Sequence, residues 1–354
     1  MFLEFFGLRE QPFGVSPDPR YLYLGPAHRE ALASLYYGIE ANRGFLSMVA
    51  RPGMGKTTLL FHLLAKFAHT ARTAFIFQTQ CNSREFMRFL LAEIGIENDV
   101  NDFVRMHEQF NRCLVQEARA GRRFIVVIDE AQNLDASVLE TVRLLSDFET
   151  PQAKLLQIIL VGQPTLADKL ATPGLTQLRQ RITSLSGLSP LSPLETSRFI
   201  AHRLQVAGHK GQRLFSGEAL ELIALASEGI PRQINNYCFH SLSLACAERK
   251  KVVDGAVVRE VMNDLDISRF MTEVETPITM SRLSSAGGLG RVSFGQAAEP
   301  DQEGIDPYKP ESTTPQSAAD SLSPAEAVQH MRDVARLLQN WRSGLGHPPD
   351  TQAS

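Results

Sequence analysis

A short segment near residue 50 constrains this chain more than any other part of its sequence. Residues 48–58 read MVARPGMGKTT, so two glycines, Gly53 and Gly55, stand just before Lys56 and Thr57. Glycine tolerates positive φ and close approach, which lets successive backbone N–H groups of a tight turn point inward at one anion. The segment therefore predicts a loop that wraps around a polyphosphate.

The residues on either side of this loop favour the same interpretation. Residues 44–50 form a short apolar run typical of a buried strand, and residues 59–66 have helical spacing. In this strand–loop–helix setting Lys56 is expected to bridge the β- and γ-phosphates of a nucleotide, while Thr57 holds Mg²⁺. The predicted phosphate-contacting residues are Pro52, Gly53, Met54, Gly55, Lys56, Thr57 and Thr58.

The loop departs from its usual pattern, G-x-x-x-x-G-K-[ST], at one position. Ala50 stands where that pattern places its first glycine. Alanine adds a single methyl group, but it disfavours a positive φ. We expect a working loop nevertheless. A scaffold that binds nucleotide without turning it over is a separate hypothesis, and Ala50 is the residue that suggests it.

A second motif supplies what phosphate binding alone lacks. Residues 124–132 read FIVVIDEAQ, an apolar strand that ends in Asp129 and Glu130. Hydrolysis of a nucleotide also needs a metal partner and a residue that orients water. Asp129 is therefore predicted to join Thr57 in the Mg²⁺ shell, and Glu130 to polarise the attacking water.

Three further positions are candidates for sensing or stabilising the phosphates. Gln163 ends another apolar run, at the sheet edge where ligands bind, and is predicted to sense the γ-phosphate or hold the water. Arg181 is predicted to reach a neighbouring subunit's nucleotide as an arginine finger, with Arg179 as the alternative. Arg232 follows Pro231 at a helix start and is predicted to cross the interdomain cleft.

Two folded domains are predicted from the pattern of apolar residues. Residues 1–190 alternate short apolar runs with amphipathic segments, which predicts an α/β fold: a parallel sheet with flanking helices. Residues 191–268 change to helical spacing and predict a small all-α lid. The predicted strands are residues 45–49, 73–78, 124–128 and 156–161, and the predicted lid helices are residues 195–206, 217–227, 231–248 and 254–265.

The C-terminal part has a different composition. Residues 269–322 and 344–354 are rich in small and polar residues, so they are predicted to be disordered. Residues 323–343 combine a capping box with an apolar stripe, which predicts a helix. That helix either folds back onto its own chain or docks on a partner, and the sequence favours neither.

Composition limits the remaining classes of function. The 354 residues are 43% hydrophobic with a formal net charge of −3, which gives no overall attraction to nucleic acid. No apolar run is long enough to span a membrane, and the N-terminus lacks the basic region of a signal peptide. The four cysteines have no C-x-x-C spacing and are expected to be ordinary buried thiols in a reducing cytosol.

These motifs, in this order, resemble an AAA+ ATPase. The resemblance is carried by the phosphate loop, the Asp129–Glu130 pair, Gln163, Arg181 and the GIPRQIN segment at 229–235. The N-terminal part resembles the ExeA/GspA-type ATPases of the general secretion pathway, and the match covers about residues 1–268. That narrower resemblance rests on FGLREQPF at 6–13, PDPRYLY at 17–23, HREAL at 28–32 and YGI at 37–39.

The resemblance implies both roles and partners. It implies ATP and Mg²⁺ as cofactors, with Walker A, Walker B, sensor 1, arginine finger and sensor 2 roles at the positions just named and the N-terminal segment closing over the adenine. It also implies a cytoplasmic homo-oligomer that switches a secretion or exopolysaccharide-export complex, at the inner membrane through a partner. The membrane span and peptidoglycan-binding domain of full-length secretion members do not appear in this sequence.

One alternative function from another class stays open at this point. Related ATPases of the MuB and TniB type load transposases on DNA, so an ATP-dependent DNA-binding adaptor is the competing hypothesis. The basic clusters on which that hypothesis depends are better explained as ordinary solvated helix ends, which is the interpretation we favour. These clusters are Arg119, Arg122, Arg123, Arg249, Lys250 and Lys251.

Overall fold

The computed structural model describes residues 2–77, 79–96, 102–149 and 154–274, with side chains through residue 265. The strands are β1 (Phe45–Val49), β2 (Ala71–Ile76), β3 (Arg123–Ile128), β4 (Gln157–Gly162) and β5 (Ile182–Gly187). The helices are α1 (Phe2–Phe5), α2 (Pro26–Glu40), α3 (Lys56–Ala65), α4 (Ser83–Glu93), α5 (Phe103–Arg119), α6 (Ala136–Leu145), α7 (Pro164–Leu170), α8 (Thr176–Arg181), α9 (Pro193–Val206), α10 (Gly217–Ala226), α11 (Pro231–Ala247) and α12 (Gly255–Val274).

The five strands form one parallel sheet in the order β2-β3-β4-β1-β5. Strand β1 lies between β4 and the edge strand β5, with Val49 opposite Gly162 of β4 and Gly187 of β5. Because all strands run the same way, the segments that follow β1, β3 and β4 leave the sheet at the same edge. The phosphate loop, the acidic pair and Gln163 are those three segments.

Helices cover both faces of this sheet, as the apolar strands predict. One face packs with α4 to α8 in a single apolar cluster, to which Phe124 and Val126 of β3 belong. On the other face the ring of Phe75 lies 5.5 Å from that of Phe61 in α3. A parallel α/β sheet with flanking helices is therefore confirmed.

Three of the four predicted strands shift by one or two residues, and β1 has its predicted bounds. Strand β5 was not predicted, because its sequence ITSLSG contains only two large apolar residues and most of its side chains are not buried. An edge strand with one half-exposed face lacks the continuous apolar run by which the others were recognised.

Four helices, α9 to α12, follow the sheet as predicted, with different ends. Helix α9 begins at Pro193 because Ser192 and Glu195 form a capping box, in which each side chain accepts the other residue's backbone N–H. Helix α12 continues through Val274, beyond the predicted end of the pattern at residue 265 and into the first residues of the predicted disordered segment.

The N-terminal segment packs with the helical part rather than with the sheet. Phe6, Leu8, Phe13 and Tyr21 belong to the same apolar cluster as residues of α9 to α12. The side chain of Arg203 in α9 donates to the carbonyl oxygen of Pro12, and its guanidinium lies 4.7 Å from the centre of the Tyr21 ring. The predicted first domain of residues 1–190 therefore contributes its first residues to the core of the helices.

The sheet and the segments that follow its strands lie within one compact unit, Met1–Arg269. The predicted helix at 323–343 and the predicted disordered segments from residue 275 onward lie outside the described residues. In the described ranges no helix is long and apolar enough to cross a membrane. Among the thiols, Cys113 and Cys238 are buried as expected, whereas Cys81 and Cys246 are half-buried.

Candidate active site

The phosphate loop connects the end of β1 to the start of α3. Gly53 and Gly55 have φ of 78° and 85°, the left-handed region in which a side chain is strained. Helix α3 begins at Lys56 with Gly55 as its N-cap, so unpaired N–H groups of its first turn face the loop. This arrangement suits an anionic ligand, because the helix N-terminus carries partial positive charge.

Lys56 and Ala50 are close neighbours inside the loop. The Lys56 Nζ donates to the carbonyl oxygen of Ala50 at 3.2 Å, and the lysine is only 6% exposed. Ala50 itself has no positive φ, and its backbone N–H donates to Gly162 of β4 at 3.0 Å. The backbone conformation at Ala50 is therefore one that alanine adopts without strain, and the missing glycine does not distort the loop.

The predicted metal ligands lie side by side. Thr57 Oγ1 donates to Asp129 Oδ2 at 2.8 Å, so the first turn of α3 touches the residue that follows β3. Asp129 is 4% exposed, and burial raises the pKa of its carboxyl above the usual range, while the Thr57 hydrogen bond opposes that shift. A buried carboxylate beside a hydroxyl is a set of oxygen ligands that fits Mg²⁺.

Glu130 follows directly in an unusual backbone conformation. Its φ of 51° and ψ of 36° are left-handed, which costs a non-glycine residue about 1 kcal/mol or more. The Glu130 N–H donates to Asp129 Oδ1 at 2.9 Å, which holds the turn. Its carboxylate Oε2 accepts from the Gln163 side-chain amide at 3.3 Å, so the predicted water-polarising and sensor residues are in contact.

Arg232 reaches the phosphate loop through its backbone. It lies in the first turn of α11, and its N–H donates to the carbonyl oxygen of Gly53 at 3.1 Å. A Cβ added at Gly53 would lie 2.7 Å from the Arg232 Cβ and 3.2 Å from Ile230 Cγ2. The helical part therefore packs directly on the loop, and the Arg232 side chain itself is exposed.

Arg181 is placed elsewhere. It is the last residue of α8, and its guanidinium donates to Ser146 Oγ at 2.7 Å and pairs with the Asp147 carboxylate. Within the described ranges it forms no hydrogen bond with the phosphate loop or the acidic pair. The structure thus brings Lys56, the metal ligands, Glu130, Gln163 and Arg232 to one edge of the sheet and leaves Arg181 outside that group.

Two residues of the site had no role predicted from the sequence. His28 in α2 is 3% exposed, and its Nε2 lies 3.0 Å from the carbonyl oxygen of Met54; since a carbonyl only accepts, Nε2 is the donor. Gln132 contacts both Glu130 and Gln163. His28 lies in the HREAL segment and Gln132 two residues after the acidic pair, but neither position has a spacing that indicates a role.

A parallel sheet of this order, with a glycine loop after β1 and an acidic pair after β3, defines a P-loop ATPase of the AAA class. In agreement with this, residues 39–170 match the protein family described as AAA domain. The prediction of an AAA-type P-loop ATPase is confirmed, and the domain implies nucleotide binding.

Among individual proteins, the chain is similar to General secretion pathway protein A of Aeromonas hydrophila, with 36% identity over 306 residues. That match covers 83% of this chain and 55% of the relative, and it confirms the resemblance to the ExeA/GspA type. An uncharacterized HTH-type transcriptional regulator of Methanocaldococcus jannaschii is 28% identical over 68% of this chain and 66% of its own length. The chain therefore spans about half to two thirds of these relatives.

Solved structures share the fold at low sequence identity. Cdc6p from Pyrobaculum aerophilum superposes with a TM-score of 0.54 at 18% identity, covering 68% of this chain and 67% of that one. The Aeropyrum pernix ORC2 protein, in its ADPNP–ADP complexes, superposes with a TM-score of 0.57 at 17% identity, covering 72% and 71%. At this identity the likeness shows the fold alone.

Proposed function

We propose that this chain hydrolyses ATP with Mg²⁺ and uses the cycle to switch a partner complex. The observation that carries the proposal is the 2.8 Å hydrogen bond between Thr57 Oγ1 and Asp129 Oδ2, which joins the phosphate loop to the acidic pair. We assign residues 1–190 to the nucleotide-binding domain and 191–268 to a helical lid, with the N-terminal segment of the first domain packed in the core of the lid. The packing of α11 on Gly53 supports a lid that responds to the loop.

Each residue has a distinct role in the proposed reaction. Lys56 and the loop N–H groups bind the phosphates, and Thr57 and Asp129 hold Mg²⁺, which neutralises charge on the phosphate oxygens when bound. Glu130 accepts the proton of the attacking water, and Gln163, hydrogen-bonded to Glu130, orients that water.

The first test is ATP turnover of the wild type against Lys56→Ala and Glu130→Gln, with the exposed Lys66→Ala as a matched control. We expect both site variants to lose at least about tenfold in kcat and Lys66→Ala to keep it. Calorimetry should show weaker nucleotide binding for Lys56→Ala and nearly unchanged binding for Glu130→Gln. A wild type no faster than Lys56→Ala at any protein concentration refutes hydrolysis.

The Mg²⁺ assignment has a test of its own. Chelation by EDTA should abolish turnover, and Thr57→Val should raise the Mg²⁺ concentration needed for half-maximal rate, since valine keeps the size of threonine without its hydroxyl. An unchanged Mg²⁺ requirement in Thr57→Val would remove that residue from the metal shell.

We propose that Arg181 acts on a neighbouring subunit of a homo-oligomer. Its position at the end of α8, away from its own loop, supports an action in trans. Specific activity should then rise with protein concentration, and Arg181→Ala should bind ATP normally but hydrolyse it slowly. Arg179→Ala is the matched control, because it lies in the same short helix. If Arg179→Ala loses activity and Arg181→Ala keeps it, the finger is Arg179.

The similarity to General secretion pathway protein A supports a secretion or exopolysaccharide-export complex as the partner, and we propose a cytoplasmic protein held at the inner membrane through it. The competing DNA adaptor receives less support, because three of its six basic residues already have carboxylate partners. These pairs are Arg122 with Glu117, Arg123 with Glu40, and Lys250 with Glu248. DNA affinity measured with ATP present should show almost no salt dependence; a steep slope would favour the adaptor.

A further inference from the structure

Gln132 occupies a central place among the residues around Glu130. It lies in the 3₁₀ turn Ala131–Asn133 that follows the acidic pair. Its Nε2 donates to Glu130 Oε2 at 2.6 Å, and its Oε1 accepts the backbone N–H of Gln163 at 3.0 Å. A carboxylate oxygen only accepts and an N–H only donates, so the amide has a single orientation that satisfies both partners.

The main chain and side chain of Gln132 are both restrained. Lys169 in α7 donates through Nζ to the carbonyl oxygens of Gln132 and Leu134, each at 2.7 Å. At Gly162, a Cβ would lie 2.6 Å from Gln132 Oε1, so the last residue of β4 leaves room for the amide only because it is glycine. The turn after β3 is thereby fixed to the end of β4 and to α7.

The position of the Glu130 carboxylate depends on this restraint of Gln132. Oε2 receives two amide donors, the short one from Gln132 and the 3.3 Å one from Gln163. The backbone of Glu130 is left-handed, so its side chain leaves the turn in a direction that the usual backbone conformation would not give. A general base has to lie within hydrogen-bond reach of the proton it takes, and a displacement of about 1 Å costs on the order of a hundredfold in rate.

We propose that Gln132 is a positioning residue for hydrolysis: its amide fixes the carboxylate of Glu130 relative to Gln163 at the end of β4. This inference rests on the proposed ATP hydrolysis, in which Glu130 is the base. Gln132 acts through Glu130 rather than on the nucleotide, so its loss lowers kcat and leaves nucleotide binding intact.

The experiment compares full-length wild type, Gln132→Met and the exposed Gln205→Met of α9 as a matched control. Methionine keeps the length of glutamine and removes both hydrogen bonds. We expect kcat of Gln132→Met to fall by about ten- to a hundredfold, with KM and the Mg²⁺-ATP dissociation constant within about threefold of wild type. Gln205→Met should match wild type. A structural role alone would instead lower the thermal midpoint and weaken binding together with kcat.

A double variant separates the two routes by which Gln132 could act. Single-turnover rates are measured for Glu130→Gln and for Glu130→Gln combined with Gln132→Met. If Gln132 works by positioning Glu130, the second substitution causes no further loss; a full additional tenfold loss assigns it an independent role and overturns the inference. If the wild type hydrolyses ATP and Gln132→Met has the same kcat, the positioning role of Gln132 is refuted and the proposed function stands. A wild type without turnover refutes the proposed function, and the inference with it.

Discussion

The contact between the phosphate loop and the start of α11 predicts a large effect for one methyl group. Gly53→Ala places a Cβ 2.7 Å from the Arg232 Cβ, a separation at which one of the two backbones has to move. The Arg232 Cβ is fixed to its own main chain, so it cannot rotate away as the end of a flexible side chain does. Overpacking of this kind costs about 1–3 kcal/mol.

The backbone conformation adds a second cost. Gly53 has a φ of 78°, and an alanine in this region is disfavoured by about 1–2 kcal/mol. Together the two effects predict that Gly53→Ala lowers the free energy of unfolding by about 2–5 kcal/mol. Gly121→Ala supplies the matched control, because Gly121 has a φ of 70° and nothing within 4 Å of an added Cβ. It should lose only the backbone part.

Denaturant unfolding of both variants measures the difference. A double variant, Gly53→Ala with Arg232→Gly, removes the opposing Cβ and should recover the steric part of the loss, while the backbone N–H of residue 232 still donates to residue 53. If Gly53→Ala costs no more than Gly121→Ala, or if Arg232→Gly restores nothing, the helical part does not pack on the loop as described and the argument is refuted.

Three further substitutions test other parts of the structure by denaturant unfolding. Burial lowers the pKa of His28 below its ordinary 6.5, so on acidification the unfolded chain binds the proton first and wild type loses stability. The stability difference between wild type and His28→Gln should therefore shrink below about pH 6.5 by at most about 1.4 kcal/mol per pH unit; a constant difference contradicts this. Glu117 is buried, and a hydrogen bond from Arg122 holds the pKa of its carboxyl below the usual range. Glu117→Gln should therefore lower the free energy of unfolding by about 1.5–3 kcal/mol. An unchanged denaturant midpoint would disprove the role of its charge. Asp147→Asn breaks the partly exposed pair with Arg181 and should cost less than about 1 kcal/mol; a larger loss would show that the pair is structural.

Sequence reasoning reached those parts of the site in which a local requirement, such as a positive φ or an oxygen ligand, is met by one type of residue. Gly53 and Gly55 have the positive φ that their place in the loop suggested, and Asp129 meets Thr57 although 72 positions separate them. Parallel strands explain this proximity, since the residues after each strand emerge at one edge and a strand assignment already brings them together.

Other parts could not be predicted, because they depend on packing between distant segments. His28 holds the Met54 carbonyl only because α2 packs beside the loop, and no local pattern marks a histidine for that role. The amide of Gln132 can contact both Glu130 and Gln163 because Gly162, at the end of β4, leaves room for it. The pattern of residue types marked Ala50 as a departure but could not give its backbone conformation, and the structure shows that this residue has no positive φ.

Two contacts at Gly53 couple the phosphate loop energetically to the helical part. Its carbonyl accepts the Arg232 N–H, and its missing side chain leaves room for the Arg232 Cβ. Under the proposed function, a nucleotide that changes the shape of the loop at Gly53 would strengthen or weaken this contact and so change the preferred orientation of α11. Linkage requires the reverse as well: a partner that binds the helices in one orientation changes nucleotide affinity by the same factor. The N-terminal segment packs with the helices, because Phe13 and Tyr21 belong to the same apolar cluster. Under the proposed function, a partner bound to the helices or to that segment would therefore change nucleotide affinity without touching the nucleotide site.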